Sequence, residues 1–324
     1  MYYTVSHLTR FRYTKPISES VMETRMHPRS DGQQRCLTFH LSVSPRCRVF
    51  SYRDHIGNHV HHFDVPGQHK QLMIIAESAV ELQPQGALMP IGSEAWQELD
   101  SFVEKGDYWE MLLPSQFAQP TPLLMELAQS LNVTRRADPL TLLQEIQAGL
   151  YRLFDYAPQS TLVDSPIDDA LRLRRGVCQD FAHIMIALIR MLRIPCRYVS
   201  GYLYHGSGDH DRSTDGATHA WVEALLPRLG WTGFDPTNDL IAADRHIRTA
   251  IGRDYADVPP TKGIYRGKAE GELSVAVRVD PSRELPPIDQ ARPIPEEWSV
   301  LIERSPDPVD PFAQMQQQQQ QEQQ

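Results

Sequence analysis

Cysteine is scarce in this chain. Four in 324 residues are too few for a disulfide framework, and none forms a Cys-x-x-Cys pair, so disulfide scaffolds, metal clips and dithiol redox motifs are set aside. Long apolar runs are missing as well. No window approaches the roughly twenty apolar residues of a membrane-spanning helix, and the opening MYYTVSHLTRFRYTKP interrupts any signal-peptide core with polar and cationic residues. The reading is a soluble cytoplasmic chain with no membrane partner. There is also no Lys/Arg block long enough to track a phosphate backbone: 32 basic against 41 acidic side chains leave a formal charge of −9, which argues against nucleic acid. What remains is a chain long enough for two domains, 41% hydrophobic, able to fill ordinary cores.

From Met1 to about Leu82, polar residues alternate with β-branched or aromatic ones in YYTVSHLTRFRY, CLTFHLSVSP, RVFSYRDHIGNHVHHFDV and LMIIAESAVEL. An antiparallel β-sandwich-like domain over 1–85 is predicted, with Ile56-Gly57-Asn58 as a hairpin turn. Pro84 and Pro90 then punctuate the chain, and the pattern changes to the helical period. Helices are predicted at 94–105, 122–131 and 139–154, two of them opened by a proline suited to a first turn. Further on, CRYVSGYLY, ATHAWVEALLP, GWTGFDPT and GELSVAVRV read as strands of one largely antiparallel sheet, so that residues 86–285 form an α+β core with a helix packed on that sheet. The segment 286–324, rich in proline and ending in MQQQQQQEQQ, is expected to be disordered.

Cys178 stands apart from the other thiols. In RRGVCQDFAHIMIALIRMLRIP, a glycine turn delivers it to the first turn of an apolar helix that Pro195 closes. Unpaired N–H groups and the helix dipole are expected to favour a thiolate there. Cys36, Cys47 and Cys196 lie among β-type residues and read as small buried hydrophobes. Downstream come His219 in ATHAWVEALLP and Asp235 in GWTGFDPTN, giving the order Cys, His, Asp of a papain-type triad. Acyl transfer at a carboxamide needs these three types: a nucleophile, a base that also protonates the leaving amine, and a group that orients the base. Pro236 biases Asp235 to an extended backbone, from which its carboxylate can reach a neighbouring strand. Singly, a thiol on a helix is usually core, a histidine usually packed or solvated, and an Asp-Pro step usually a turn; it is their joint occurrence at element ends that points to chemistry.

RRGVCQDFAH, RIPCRYVSGYLY, DGATHAWVEALLP and GWTGFDPTND together resemble the bacterial transglutaminase-like proteins of the papain-type cysteine superfamily. HIRTAIGRDYADVPPTKGIYRG resembles the segment that follows the core in that family, and residues 1 to about 82 its N-terminal β region. The resemblance implies Cys178 as nucleophile, His219 as general base and acid, and Asp235 as orienting carboxylate, acting on a peptide or protein without cofactor or metal. The backbone N–H of Cys178 is a natural oxyanion donor. For the second donor, Tyr156, Gln159, Gln179 and Trp221 stay open. Water is the favoured acceptor, because the spacing shows neither an aromatic-rich amine tunnel nor an acidic calcium loop; this predicts a peptidase or amidase. A crosslinking transglutaminase and a non-catalytic peptide-binding scaffold are the alternatives.

Other clusters read more blandly. His55, His59, His61 and His62 suggest a polar hairpin face rather than a zinc site. His205, Asp209, His210 and Asp211 fall in a Gly/Ser/Asp-rich loop expected to be flexible. Asp180 suits a first helical turn, His183 is expected to pack, and Arg253, Asp254 and Tyr255 are divided between substrate contact and a surface ion pair.

Overall fold

The computed structural model describes residues 1–286, apart from Gln159 and Ser207, together with Trp298; most of the Pro- and Gln-rich C-terminal segment therefore lies outside the described residues. The first four elements are the strands β1 (Tyr2–Thr24), β2 (Gln34–Ser44), β3 (Val49–Arg53) and β4 (His59–Leu82). β1 and β4 are far longer than an average strand and pair antiparallel along almost their whole length, with register shifts between Arg12 and Glu19. Opposite those shifts, Gly67 takes φ +89°, a conformation that suits glycine. Bulges bend a sheet. Here β2 pairs with one end of β4 and β3 with the other. Tyr13 and Ile17 near the bend, Met22 and Phe63 from one half, and Leu72 and Ile74 from the other join a single buried cluster, which gives the sheet its sandwich-like character.

The helical lead-in follows the sequence closely. α1 (Ala95–Lys105), α2 (Pro122–Ser130) and α3 (Pro139–Leu153) appear where expected. Thr121 caps α2 by accepting Leu124 N–H, and Asp138 caps α3 by accepting Leu140 N–H, each cap being worth about 1 kcal/mol. Asp138 also accepts Ile91 N–H and so ties the segment after the β region to α3. Then come β5 (Asp155–Tyr156), α4 (Ile167–Leu173) and β6 (Arg175–Gly176), with β5 and β6 forming a two-residue parallel pair.

α5 (Cys178–Met191) is buried along nearly all of its length, from Gln179 to Arg190. A helix buried on every face lies inside a core, and its buried polar side chains Gln179, Asp180, His183 and Arg190 each have a hydrogen-bond partner. It packs on a sheet made of β7 (Cys196–Leu203), β8 (His219–Leu226), β9 (Gly230–Asp235), β10 (Leu240–Ala242) and β11 (His246–Gly252), in the antiparallel order β10-β9-β8-β7-β11. Ala220, Val222 and Ala224 share a cluster with α5, whereas Trp221 packs with Val199 and Ile251 in another. The alternation of β8 thus divides its two faces as a strand must. Ala242 and His246 are only four residue steps apart, about 14 Å of extended chain, yet the strands they belong to close opposite ends of the sheet. Five flat strands would hold those ends roughly 19 Å apart. The sheet therefore curls, and the ends of β9 and β11 approach each other.

One expectation is corrected. The strand in GELSVAVRV is β13 (Gly271–Ser282), and it pairs with β1 from Tyr2 to Tyr13, not with the sheet under α5. β12 (Thr261–Arg266) pairs with β1 from Glu19 to Thr24. Residues 261–282 thus complete the N-terminal sheet, and a contiguous split into 1–85 and 86–285 does not follow the strand pairing. The physical reason is the free edge of β1: β4 covers one side, and the other would expose a long row of unpaired backbone groups. Tyr3, Val5, Val80 and Val277 of this sheet also join Tyr202 and Ile247 of the other in one buried cluster. Among the described residues, no helix is long and apolar enough to cross a membrane.

Candidate active site

Cys178 is the first residue of α5, and the extended Val177 before it turns the chain into the helix. Asp180 closes that start: its Oδ2 accepts Val177 N–H at 2.8 Å and the Thr161 hydroxyl at 2.6 Å, and burial pushes its carboxyl above the usual range. Gly176, one residue before that turn, sits where a Cβ would press on Asp180, so this position has no room for a side chain. The thiol itself is half-buried. Cys196 is fully buried, and burial pushes the thiols of Cys36, Cys47 and Cys196 up to about 11.

His219 opens β8 opposite Gly201 of β7. Its Nε2 lies 2.8 Å from Asp235 Oδ2, and Cys178 is close enough to raise the ring's pKa, so Nδ1 is the nitrogen left for the thiol. Burial opposes a charge on this ring. The Asp235 carboxylate and Cys178 outweigh that effect and raise it to about 10. Asp235 is fully buried, which by itself would favour its neutral form, but the His219 charge and the bonds from His219 and His246 hold it well below the carboxylate range. Its Oδ1 accepts Thr237 N–H at 3.0 Å and Asn238 N–H at 3.3 Å, and Oδ2 accepts Asn238 Nδ2 at 2.8 Å.

Two members of this arrangement were not read from the sequence, His246 and Asn238. His246 Nε2 stands 3.1 Å from the same Asp235 oxygen. Burial lowers its pKa despite Asp235, so it serves as a neutral donor while His219 carries the charge. The sequence signal was a histidine at the head of the strand HIRTAIG; only the curl of the sheet brings it to Asp235. The ligand atoms of His219, Asp235 and His246 lie within 4.8 Å of one another, as in a metal site. They are, however, already hydrogen-bonded together, and the Asn238 amide points a donor at the shared oxygen.

Three phenols feel the thiol. Tyr156, Tyr198 and Tyr255 are each pushed up by burial first; Cys178 adds to this, and at Tyr156 the hydrogen bond from Thr214 acts against it. Of the four side chains considered as oxyanion donors, Gln179 gives its amide to Val163 O at 2.8 Å, Trp221 packs beside the His219 ring with centroids 6.1 Å apart, and Gln159 lies outside the described residues. Tyr156 remains.

The other clusters resolve into structural pairs. His183 stacks on Phe117 and accepts Tyr255 N–H at 3.2 Å, and burial drives it down to about 3. Arg253 pairs with Asp257, while the buried Asp254 accepts Phe117 N–H and Ala256 N–H. His59 stacks on His27 with centroids 4.0 Å apart, and burial lowers His59 and His61 to about 4. The loop after β7 is more anchored than its composition suggested. Arg245 pairs with Asp209 and Asp211, and Asn238 Oδ1 accepts Arg212 N–H and Ser213 N–H, so the residue that braces Asp235 also holds this loop. Behind the sheet, a cavity of 410 Å³ is lined by Trp221, Trp231 and His246 and by the ion pairs of Arg197 and Arg248 with Glu223.

Residues 3–81 match the bacterial transglutaminase-like N-terminal region, and residues 127–236 match the transglutaminase-like superfamily. A Mycobacterium leprae protein of uncharacterized function is 35% identical over 279 residues, spanning 85% of this chain and 97% of its own. The chain belongs to the bacterial transglutaminase-like family. A Pseudomonas aeruginosa protein-glutamine gamma-glutamyltransferase is 30% identical over 139 residues, covering 38% of this chain and 21% of that protein. Among solved structures, a candidate cysteine protease from Cytophaga hutchinsonii superposes with a TM-score of 0.70 at 23% identity, covering 88% of this chain and 92% of that one; this likeness shows the fold.

Proposed function

We propose that the protein is a cysteine hydrolase that forms an acyl-enzyme on a carboxamide or peptide bond. The observation that carries this reading is the placement of Cys178, at a helix start, beside a His219 ring that is hydrogen-bonded at 2.8 Å to the buried Asp235. His219 already holds the proton of the Cys178–His219 pair, so Sγ of Cys178 attacks the carbonyl carbon as a thiolate, and the carbonyl π pair moves onto oxygen. The Cys178 backbone N–H, which has no partner within the helix at this position, faces the developing negative charge. Collapse of the intermediate breaks the C–N bond, and the His219 imidazolium protonates the departing amine. Water then attacks the thioester as His219 removes its proton, and cleavage of the C–S bond releases the acid and restores the Cys178 thiolate beside the His219 imidazolium. Asp235 supports the charged ring at both proton transfers.

Water as the acceptor is supported by the openness of the rim. The segment that covers the helix start, tied down by Thr161 and Val163, exposes Leu162 and Val163, and Thr214 on the opposite loop is also exposed. Such a rim does not exclude water from a thioester. Exposed apolar side chains beside the thiol also suit a peptide or protein substrate. The name of the Pseudomonas relative supports the second reading, transfer of the acyl group to an amine. Mass spectrometry of glutamine-donor peptides incubated with and without millimolar lysine analogue separates the two. Mainly free acid in both arms is expected; mainly new amide in the second arm replaces hydrolysis by transfer. No product in either arm, or product that persists in Cys178→Ala, counts against the acyl-enzyme, and the first of these favours the scaffold.

A further inference from the structure

We propose that the phenol of Tyr156 is the second oxyanion donor, completing with the Cys178 backbone N–H the pocket that holds the tetrahedral intermediate. The inference rests on the acyl-enzyme reading above and assigns the one role in it that the sequence left open. Position comes first. Tyr156 lies on β5, whose partner β6 runs directly into the nucleophile: Tyr156 is in register with Gly176, and Ala157 N–H donates to Gly176 O at 2.9 Å. This ladder fixes the backbone of Tyr156 beside the turn that leads into the helix start, where the first N–H groups of α5 have no partner within the helix. Tyr198 and Tyr255 also neighbour Cys178, but they pack with His183, which lies further along α5, in the aromatic cluster that includes Phe117.

The hydroxyl is also prepared for the task. Thr214 N–H donates to Tyr156 Oη at 3.4 Å, and the Thr214 hydroxyl stands 3.3 Å from it. When the threonine hydroxyl donates, both protein contacts use the phenol oxygen as acceptor, and its own proton is free for a substrate oxygen. Tyr156 is half-buried and Thr214 exposed, so the group sits at the mouth of the site. Burial and Cys178 both keep the phenol protonated, as a hydrogen-bond donor to an anion must be.

The test compares two reactions of the same thiol in the full chain. Acylation by p-nitrophenyl acetate passes through an oxyanion, whereas alkylation by iodoacetamide is a displacement at carbon that develops none. Tyr156→Phe is expected to slow Cys178 acylation by about tenfold or more while leaving its alkylation within about twofold of the parent. Acylation within twofold of the parent, or an equal fall in both reactions, overturns the assignment. A parent protein that is alkylated at Cys178 but never acylated there overturns the acyl-enzyme reading itself, and the assignment with it.

Discussion

Replacing Asp235 by asparagine changes one atom in the most densely hydrogen-bonded group of the site, and its consequence can be worked through. The ring of His219 is raised from 6.5 to about 10, a preference for imidazolium on the order of 5 kcal/mol. Burial acts against that preference, so Asp235 and Cys178 together supply more than this amount. Asparagine removes the full charge of one of them. It also introduces a donor into a group that now only accepts: whichever way the amide turns, its NH₂ faces either the backbone N–H groups of Thr237 and Asn238 or the side-chain donors of His219, His246 and Asn238. Removal of an opposite charge at this range is worth 1–3 pH units, and the expectation here is a fall of about 2. Imidazole NMR, with the His219 signal assigned by its loss in His219→Gln, reads the titration directly. Any hydrolytic activity should lose its alkaline limb at a correspondingly lower pH, because the ring can no longer protonate the leaving amine. A His219 titration within about half a pH unit of the parent refutes the claim that Asp235 sustains the charge.

Cys178→Ala and His219→Ala are each expected to lower peptide turnover by about a thousandfold or more with melting temperature little changed, and the double variant should be no slower than the slower single; additive losses would show that the two do not act as a unit. The stability of the fold should decline on acidification. Buried His183 and His7 are lowered to about 3 and about 4, so the unfolded chain, titrating near 6.5, binds protons that the folded chain refuses; stability is lost as pH falls through this window, roughly 5 kcal/mol for the two at pH 4.5, and urea unfolding at pH 7 and 4.5 measures it. Val277→Asp places a carboxylate in the cluster shared by the two sheets, at a cost of roughly 3 kcal/mol or more, and calorimetry should show one transition moved down as a whole; a split into two transitions would mean that the sheets unfold independently.

The parts of the fold legible in the sequence are those whose signal is local. α2 and α3 announce themselves by a capping side chain followed by proline, and α5 by a glycine turn and a continuous apolar run. Alternation marked β7, β8, β9 and β13 as strands, but alternation identifies the face a residue occupies and says nothing about the strand beside it. Hence the sequence of β13 marks a strand without showing that its neighbour is β1. β12, with Gly263 in a mostly exposed run, carries too little pattern to be seen as a strand at all. The same limit applies to the loop of residues 205–216, where glycine, serine and aspartate suggest freedom while the arginine that restrains them, Arg245, lies 34 residues beyond Asp211.

The candidate site divides along the same line. Cys178, His219 and Asp235 are each readable because each stands at the end of an element with a distinctive local sequence, and the helix start supplies a physical reason for the thiol. His246 has no such context. It becomes a partner of Asp235 only because a three-residue link between β10 and β11 is too short for a flat sheet and forces the curl that brings β11 round to β9. That curl also explains why two histidines can share one carboxylate oxygen without opposing each other. The field of Asp235 and Cys178 keeps His219 charged, while His246, buried and close to both His219 and Arg245, stays neutral and donates. A buried carboxylate surrounded by five donors, only one of them charged, is a rigid support for a single imidazolium, as the proposed acid–base role of His219 requires.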